Sequence, residues 1–222
     1  MPHIHRIAAA VVVALVPLVA GCGKGASAGE ALSTAAAAGD DCCANEDAEA
    51  KPDVARFDTN IPDVELTDQF GKKHRFYSDL IRGKLVLLNA IYTTCAGTCP
   101  MQTTIFAAAQ HRLRKRIGKD VSMISVTLDP VNDTPEKLKA FAERFNAHDE
   151  WLFLTGPPQD VATVLQAMDL WAADPAEHLP FASVGNDKTG VWMKVVNLGA
   201  PEELVSKLDT VSKIDPAQAI GR

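Results

Sequence analysis

The chain has 222 residues, of which 23% are charged and 47% are hydrophobic, a composition typical of one soluble globular domain of ordinary size with additional segments. The formal net charge of -6 argues against a nucleic-acid-binding protein, which would present a basic surface to the phosphates. Five cysteines are too few for a disulfide scaffold at this length, so each of them needs its own explanation.

Residues 1–21 are predicted to be a secretion signal. Arg6 precedes the apolar run IAAAVVVALVPLVA, which is short for a membrane span and is interrupted by Pro17. The run leads through Gly21 to Cys22, and this ending is typical of bacterial lipoproteins, in which the cysteine is lipidated after cleavage. An ordinary signal peptide and an uncleaved anchor are the alternatives. All three place the domain outside the cytoplasm, and the first predicts a lipid-anchored protein of the cell envelope that faces the periplasm.

Residues 22–56 are predicted to be a flexible tether between the lipid and a folded domain at 57–222. The segment is rich in Ala, Gly, Asp and Glu, so it buries too little apolar surface to offset the entropy of ordering its chain. It contains the neighbouring cysteines Cys42 and Cys43. An accessory role in metal handling or redox exchange is one interpretation of this pair, and a pair without any part in the core function is the other.

The remaining sequence predicts alternating strands and helices. The segment IPDVELTDQFGKKHRF predicts two short strands around a turn at 68–71. The apolar run KLVLLNAIY predicts a strand buried on both faces, and TTIFAAAQHRLRKRI after it predicts a helix. The later predicted elements are the strand VSMISVTL, the helix PEKLKAFAERF, the strand WLFLTG, the helix DVATVLQAMDLW, a hairpin around 186–190 and the helix PEELVSKLDTVSKI. This order predicts an α/β fold whose central mixed sheet is mostly parallel at its centre and flanked by helices, with an N-terminal and a late β-hairpin.

Two carboxylates, Asp129 and Asp133, frame the sequence DPVNDTP. They are candidates for acid–base chemistry or for steering a positively charged partner. The plainer interpretation is structural: Asp133 or Thr134 caps the following helix, and Asp129 fixes the preceding turn.

The sequence YTTCAGTCPM places Cys95 and Cys99 after the first central strand and at the start of a helix, which is a thioredoxin-like arrangement. Residues four apart on a helix have Cα atoms about 6 Å apart, within the range of a disulfide. A helix N-terminus also stabilises a thiolate. Two thiolates suit copper(I), whereas a structural zinc site needs four ligands. A redox-active pair, a metal site and a static disulfide all remain open.

The segments NAIYTTCAGTCP, SVTLDPVNDTPEKLKAFAERF, WLFLTG and EHLPFASVGNDKTG together resemble the Sco/SenC family. Proteins of that family bind copper, have a thioredoxin-like fold and are linked to assembly of the binuclear copper centre of cytochrome c oxidase. The resemblance implies a site for copper, as Cu(I) or Cu(II), formed by Cys95, Cys99 and His178. The other histidines of the domain are predicted to be solvated surface residues: His74, His111 and His148.

Two features depart from the family pattern. Residues 96–98 are Ala-Gly-Thr, whereas the family often has an acidic residue between the two cysteines. The sequence also predicts a lipid anchor where many relatives have a membrane helix. Both departures leave room for general copper handling or thiol reduction beside oxidase assembly.

The first functional hypothesis is a metallochaperone that delivers copper to the copper-site subunit of cytochrome c oxidase. The alternative is a thiol-disulfide oxidoreductase that uses a redox-active Cys95–Cys99 disulfide to reduce the cysteines of the acceptor before metallation. A peroxide-reducing enzyme is a third hypothesis, but it needs an arginine that the motif lacks. Further predicted partners are periplasmic copper chaperones or thioredoxin-like reductants, and no nucleic acid.

Overall fold

The computed structural model describes residues 60–175, 179–196 and 198–215. In that part of the chain the strands are β1 (Glu65–Thr67), β2 (Lys73–Arg75), β3 (Leu85–Ile91), β4 (Val121–Thr127), β5 (Trp151–Leu154), β6 (Ala182–Asn186) and β7 (Val191–Val195). The helices are α1 (Thr98–Leu113), α2 (Pro135–Arg144), α3 (Pro158–Ala167) and α4 (Pro201–Lys213), and Phe76–Ile81 forms a π-helical turn. None of the helices described is long and apolar enough to cross a membrane. The predicted signal, tether and tether cysteines lie outside the described residues.

Five strands form the central sheet in the order β5-β4-β3-β6-β7. β3 pairs in parallel with β4, and β4 with β5, whereas β6 runs antiparallel to both β3 and β7. The strands β1 and β2 form a separate antiparallel hairpin. These pairings confirm the predicted α/β class, the mixed sheet and both hairpins.

The core has two layers because β3 and β4 are buried on both faces. On one face, Leu87 and Met123 pack with apolar residues of α1, α2 and α4. On the other, Val86 and Ile124 pack with α3 and the π-helical turn. Alternate residues of one strand therefore enter opposite layers, which explains why these strands read as continuous apolar runs.

Two predicted helices differ from the structure in their bounds. The helix predicted from TTIFAAAQHRLRKRI already begins at Thr98 and ends at Leu113. The helix predicted from DVATVLQAMDLW ends at Ala167, because Asp169 adopts a left-handed φ of 54° that no α-helix continues. The start at Thr98 places Cys99 in the first turn of the helix, as the motif predicts.

Candidate functional site

The two cysteines of the motif lie at the connection between β3 and α1. β3 ends at Ile91, Cys95 is half-buried in the connecting loop, and Cys99 is fully buried in the first turn of α1. Both are free thiols. The loop stands at the carboxyl edge of β3 and β4, the edge at which α/β sheets commonly place ligand sites.

The two thiols differ strongly in acidity. Burial opposes ionisation of Cys95, but hydrogen bonds from the backbone N–H and the thiol of Cys99, and from the Tyr92 hydroxyl, outweigh it and lower the pKa of Cys95 to about 7. The N–H of Cys99 lies 3.4 Å from the Cys95 sulfur. Burial raises the pKa of Cys99 to about 12, and its hydrogen bond to the Cys95 sulfur acts in the same direction. Near neutral pH the pair therefore holds one thiolate at the surface and one thiol in the interior.

The N-terminus of α1 supports this thiolate. The N-cap residue, Gly97, supplies no capping side chain, and the first turn contains no acidic residue. The positive end of the helix dipole therefore faces the sulfurs without a competing side-chain carboxylate in that turn. Pro100 causes no loss there, because it lacks an N–H at a position where a backbone N–H would have no helical acceptor.

Asp133 fixes the loop that carries Cys95, and it does not cap α2 as one interpretation predicted. It is 1% exposed, and its carboxylate accepts hydrogen bonds from the N–H of Thr93 at 3.1 Å and from the hydroxyls of Thr93 and Thr127 at 2.5 Å each. The helix is capped instead by Thr134, whose hydroxyl accepts from the Lys137 N–H. The buried carboxylate thus ties the cysteine loop to the end of β4.

Asp129 has the predicted structural role. Its carbonyl oxygen accepts the N–H groups of Asn132 and Asp133, and its carboxylate accepts the side-chain amide of Asn132 at 2.9 Å. The two acidic residues of DPVNDTP therefore stabilise the turn and the neighbouring loop.

The predicted third ligand, His178, lies outside the described residues, but the chain just after it is anchored to the cysteine helix. The buried side chain of Gln102 donates a hydrogen bond to the carbonyl oxygen of Phe181 at 2.6 Å. Gln102 follows Cys99 by three residues, and Phe181 follows His178 by three. No local sequence pattern pointed to Gln102, since the contact joins residues 79 positions apart. Among the described residues, no group of three or more His, Cys, Asp or Glu side chains could hold a metal ion.

The other histidines only partly match the surface prediction. His74 is buried, and its Nε2 lies 2.7 Å from a carboxylate oxygen of Asp68, so the prediction of a solvated side chain was wrong. The carboxylate of Asp68 also accepts two backbone N–H groups of the β1–β2 turn, which makes the pair part of the hairpin. His111 is exposed, and its ring centre lies 6.0 Å from that of the half-buried His148.

The sequence of this chain is similar to proteins of one known family. The SCO1/SenC family model matches residues 55–181. The SCO1 protein homolog of Bacillus subtilis (strain 168) is 38% identical over 80 residues, which make up 36% of this chain and 41% of that protein. The alignment thus spans less than half of that relative.

Solved structures have the same thioredoxin-like fold. BsSco, a member of the Sco family of cytochrome c oxidase assembly proteins in which a disulfide switch has been identified, matches with a TM-score of 0.58 and 25% identity over 74% of this chain and 98% of its own. Yeast Sco1 with copper bound matches with a TM-score of 0.54 and 18% identity over 70% and 94% of the two chains. Since the family model covers more than half of the sequence, the chain belongs to the SCO1/SenC family.

Proposed function

We propose that this protein is a copper metallochaperone, which binds one copper ion through Cys95, Cys99 and His178 and delivers it to the binuclear copper centre of cytochrome c oxidase. The observation that carries the proposal is the cysteine pair at the N-terminus of α1, in which Cys95 has a pKa of about 7. Membership of a family that includes cytochrome c oxidase assembly proteins supports the choice of acceptor.

The donor set favours copper over other metals. Metal ions bind the thiolate form of cysteine, and copper(I) accepts two thiolates with or without an imidazole. A structural zinc site needs four ligands, and the described region brings no third Cys, His, Asp or Glu to the two sulfurs. Copper is the cargo here, so a site with few ligands at the protein surface suits release as well as binding.

The anchor at Gln102 supports His178 as the third ligand. Three residues of extended chain span about 10 Å, so the hydrogen bond to Phe181 keeps His178 within reach of the helix that carries Cys99. An imidazole nitrogen would satisfy the preference of copper(II) for nitrogen and oxygen ligands.

Copper loading of the reduced and the oxidised domain tests the proposal. The reduced protein should bind about one copper, and a Cys95–Cys99 disulfide should bind essentially none there, because both states use the same sulfur lone pairs. His178→Ala should abolish or strongly weaken the copper(II) absorption spectrum, while His111→Ala, an exposed histidine near the other end of α1, should leave it unchanged. A parent-like spectrum for His178→Ala would remove this histidine from the ligand set.

A thiol-disulfide oxidoreductase is the second candidate, and the unequal acidity of the thiols favours it. The Cys95 thiolate would attack one sulfur of an acceptor disulfide, form a mixed disulfide and release one acceptor thiolate. Cys99, losing its proton, would then attack the Cys95 sulfur and release the second acceptor thiolate. The chain would be oxidised by two electrons and the acceptor reduced by two. A thioredoxin-like reductant of the periplasm would supply two electrons through its own dithiol and restore the reduced pair.

His178→Ala also separates the two candidates in cells. The dithiol exchange needs only the cysteines, so the variant should keep it. Loss of oxidase assembly in that variant favours copper delivery, and normal assembly favours thiol reduction.

We further propose that Cys22 is lipidated and holds the domain on the periplasmic side of a membrane. The sequence VAGC at the end of the apolar run supports this location. Cys22→Ser should release the domain from membrane fractions or leave an unprocessed precursor, as seen by immunoblotting. Normal processing with membrane retention would exclude the lipid anchor.

A further inference from the structure

The exposed apolar side chains of the described region are concentrated around the cysteine loop. Large apolar residues that are between 42% and 76% exposed are Phe70, Met101, Val131, Trp171, Leu179 and Val196. Phe70 lies at the tip of the β1–β2 hairpin, next to the start of β5. The other five stand at the carboxyl edge of β3 and β4, and we call them the apolar collar.

Three collar members are connected through Phe181. Met101 precedes Gln102, whose side chain binds the carbonyl oxygen of Phe181. The N–H of Phe181 donates to the carbonyl oxygen of Leu179 at 2.8 Å. β6 begins directly after Phe181 and pairs with the end of β7, and Val196 follows that end. Met101, Leu179 and Val196 therefore lie around residues 179–181, the late loop before β6, which follows the predicted ligand His178 in the sequence.

Val131 lies on the other side of the cysteine loop. It belongs to the turn between β4 and α2, and Asp133, two residues later, binds both the N–H and the hydroxyl of Thr93. Thr93 precedes Cys95 by two residues. Val131 is the most exposed collar member, at 76%.

Trp171 lies in the segment that crosses from the late loop to the cysteine loop. The carboxylate of Asp169 accepts a hydrogen bond from the ammonium of Lys194 at 2.8 Å. The same ammonium lies 4.2 Å from the centre of the Phe181 ring. The pKa of Tyr92 is raised mainly by its hydrogen bond to Cys95 and by burial. Asp174 is near enough to add a smaller electrostatic effect in the same direction. Trp171 stands between these two contacts and is 42% exposed.

The collar has an acidic surround. Asp129 and Glu136 flank Val131 on the turn and at the start of α2, and Asp174 lies beside Tyr92. Lys137 contributes one positive charge at the same turn, its ammonium donating to the carbonyl oxygen of Asn132, so the three carboxylates leave this surround negative. An apolar centre with an acidic rim is complementary to a protein surface with an apolar centre and a basic rim.

We propose that the apolar collar is the docking surface for the copper-accepting protein, and that this acceptor presents an apolar patch with basic residues around its own metal ligands. The inference rests on the proposed function. Cys99 is 0% exposed and Cys95 is half-buried, so an incoming ligand reaches the sulfurs only when the two protein surfaces are pressed together at this edge. A contact of that kind covers the collar.

Binding of the copper-free, reduced protein to a soluble copper-site domain of the oxidase subunit tests the docking surface without requiring transfer. The collar variant Val131→Ser/Trp171→Ser changes two exposed side chains that bind no copper in the proposal. It should weaken binding about tenfold, as expected for two anchors of an interface. The control is Phe70→Ser, which removes an apolar side chain that is 50% exposed and is not a collar member, and this variant should bind like the parent.

The acidic rim is tested by the association rate. Glu136→Gln/Asp174→Asn should associate several-fold more slowly than the parent at low salt, and the difference should vanish at high salt, because such charges act mainly on association and are screened. The control Glu150→Gln changes a carboxylate just before β5, away from the collar.

The outcomes separate the docking surface from copper delivery. Parent-like binding by the collar variant, equal weakening by Phe70→Ser, or no binding by the parent would overturn the surface. Collar-dependent binding without copper transfer would keep the surface and reject the delivery function. Parent dimers that dissociate in the collar variant, with acceptor binding unchanged, would assign this face to self-association and also overturn the proposal.

Discussion

Replacing Asp133 by asparagine should destabilise the reduced domain and loosen the loop that carries Cys95. The carboxylate is 1% exposed and accepts the Thr93 N–H and the hydroxyls of Thr93 and Thr127. Asparagine preserves the shape but offers one acceptor oxygen, and its NH₂ group faces at least one of these donors. A hydrogen bond to a buried charge contributes about 1.5–3 kcal/mol, and an unsatisfied buried donor costs a similar amount. The free energy of unfolding should therefore fall by about 2–4 kcal/mol.

Urea unfolding of the reduced, copper-free domain measures this loss, and the alkylation rate of Cys95 reports the loop. The control is Asp129→Asn in the same turn. Its carboxylate is only half-buried and accepts the exposed side-chain amide of Asn132, so its loss should stay below about 1 kcal/mol. Equal losses for the two variants, or a parent-like Asp133→Asn, would refute the role assigned to Asp133.

In the reduced domain, iodoacetamide should modify Cys95 at a rate that rises with pH near 7. Cys99, with its pKa of about 12, should stay unmodified at neutral pH. Mass spectrometry measures the labelling of each cysteine, and equal labelling of the two in the folded domain would contradict the difference in acidity. Gln102→Met should weaken copper(II) binding by leaving the late loop unanchored, with Cys95 alkylation unchanged, and a parent-like copper titration would contradict the anchor. Gly185→Ala should lower the free energy of unfolding by about 1–3 kcal/mol, since its Cβ would come within 2.1 Å of the Trp192 ring; a parent-like urea midpoint would contradict this packing.

The fold was predictable because short stretches of the sequence each indicate a main strand or helix by their pattern of apolar residues. β3 and β4 are continuous apolar runs, as strands buried on both faces must be. The π-helical turn Phe76–Ile81 was not predicted, since a single turn is too short to show a period.

The candidate site was predictable only where its residues are neighbours in sequence. Cys95 and Cys99 share one short motif. The contacts of Asp133 with Thr93 and of Gln102 with Phe181 join residues 40 and 79 positions apart. Such pairs depend on the order of the strands in the sheet, which the local sequence does not show. A polar residue near a predicted helix start is therefore interpreted as a helix cap, although its partner lies on a neighbouring strand. The same limit explains why His74 was assigned to the surface.

The geometry of the cysteine pair sets an order of events for both candidate functions. Cys95 is half-buried and ionises near neutral pH, whereas Cys99 is enclosed and keeps its proton. A copper ion or an acceptor disulfide therefore meets Cys95 first, and the step at Cys99 requires loss of the inner proton. An acceptor ligand also reaches the half-buried Cys95 before the buried Cys99, so it would replace the bond to Cys95 first. Because that first exchange takes place at the carboxyl edge of β3, the residues around this edge decide which protein can approach closely enough to begin it.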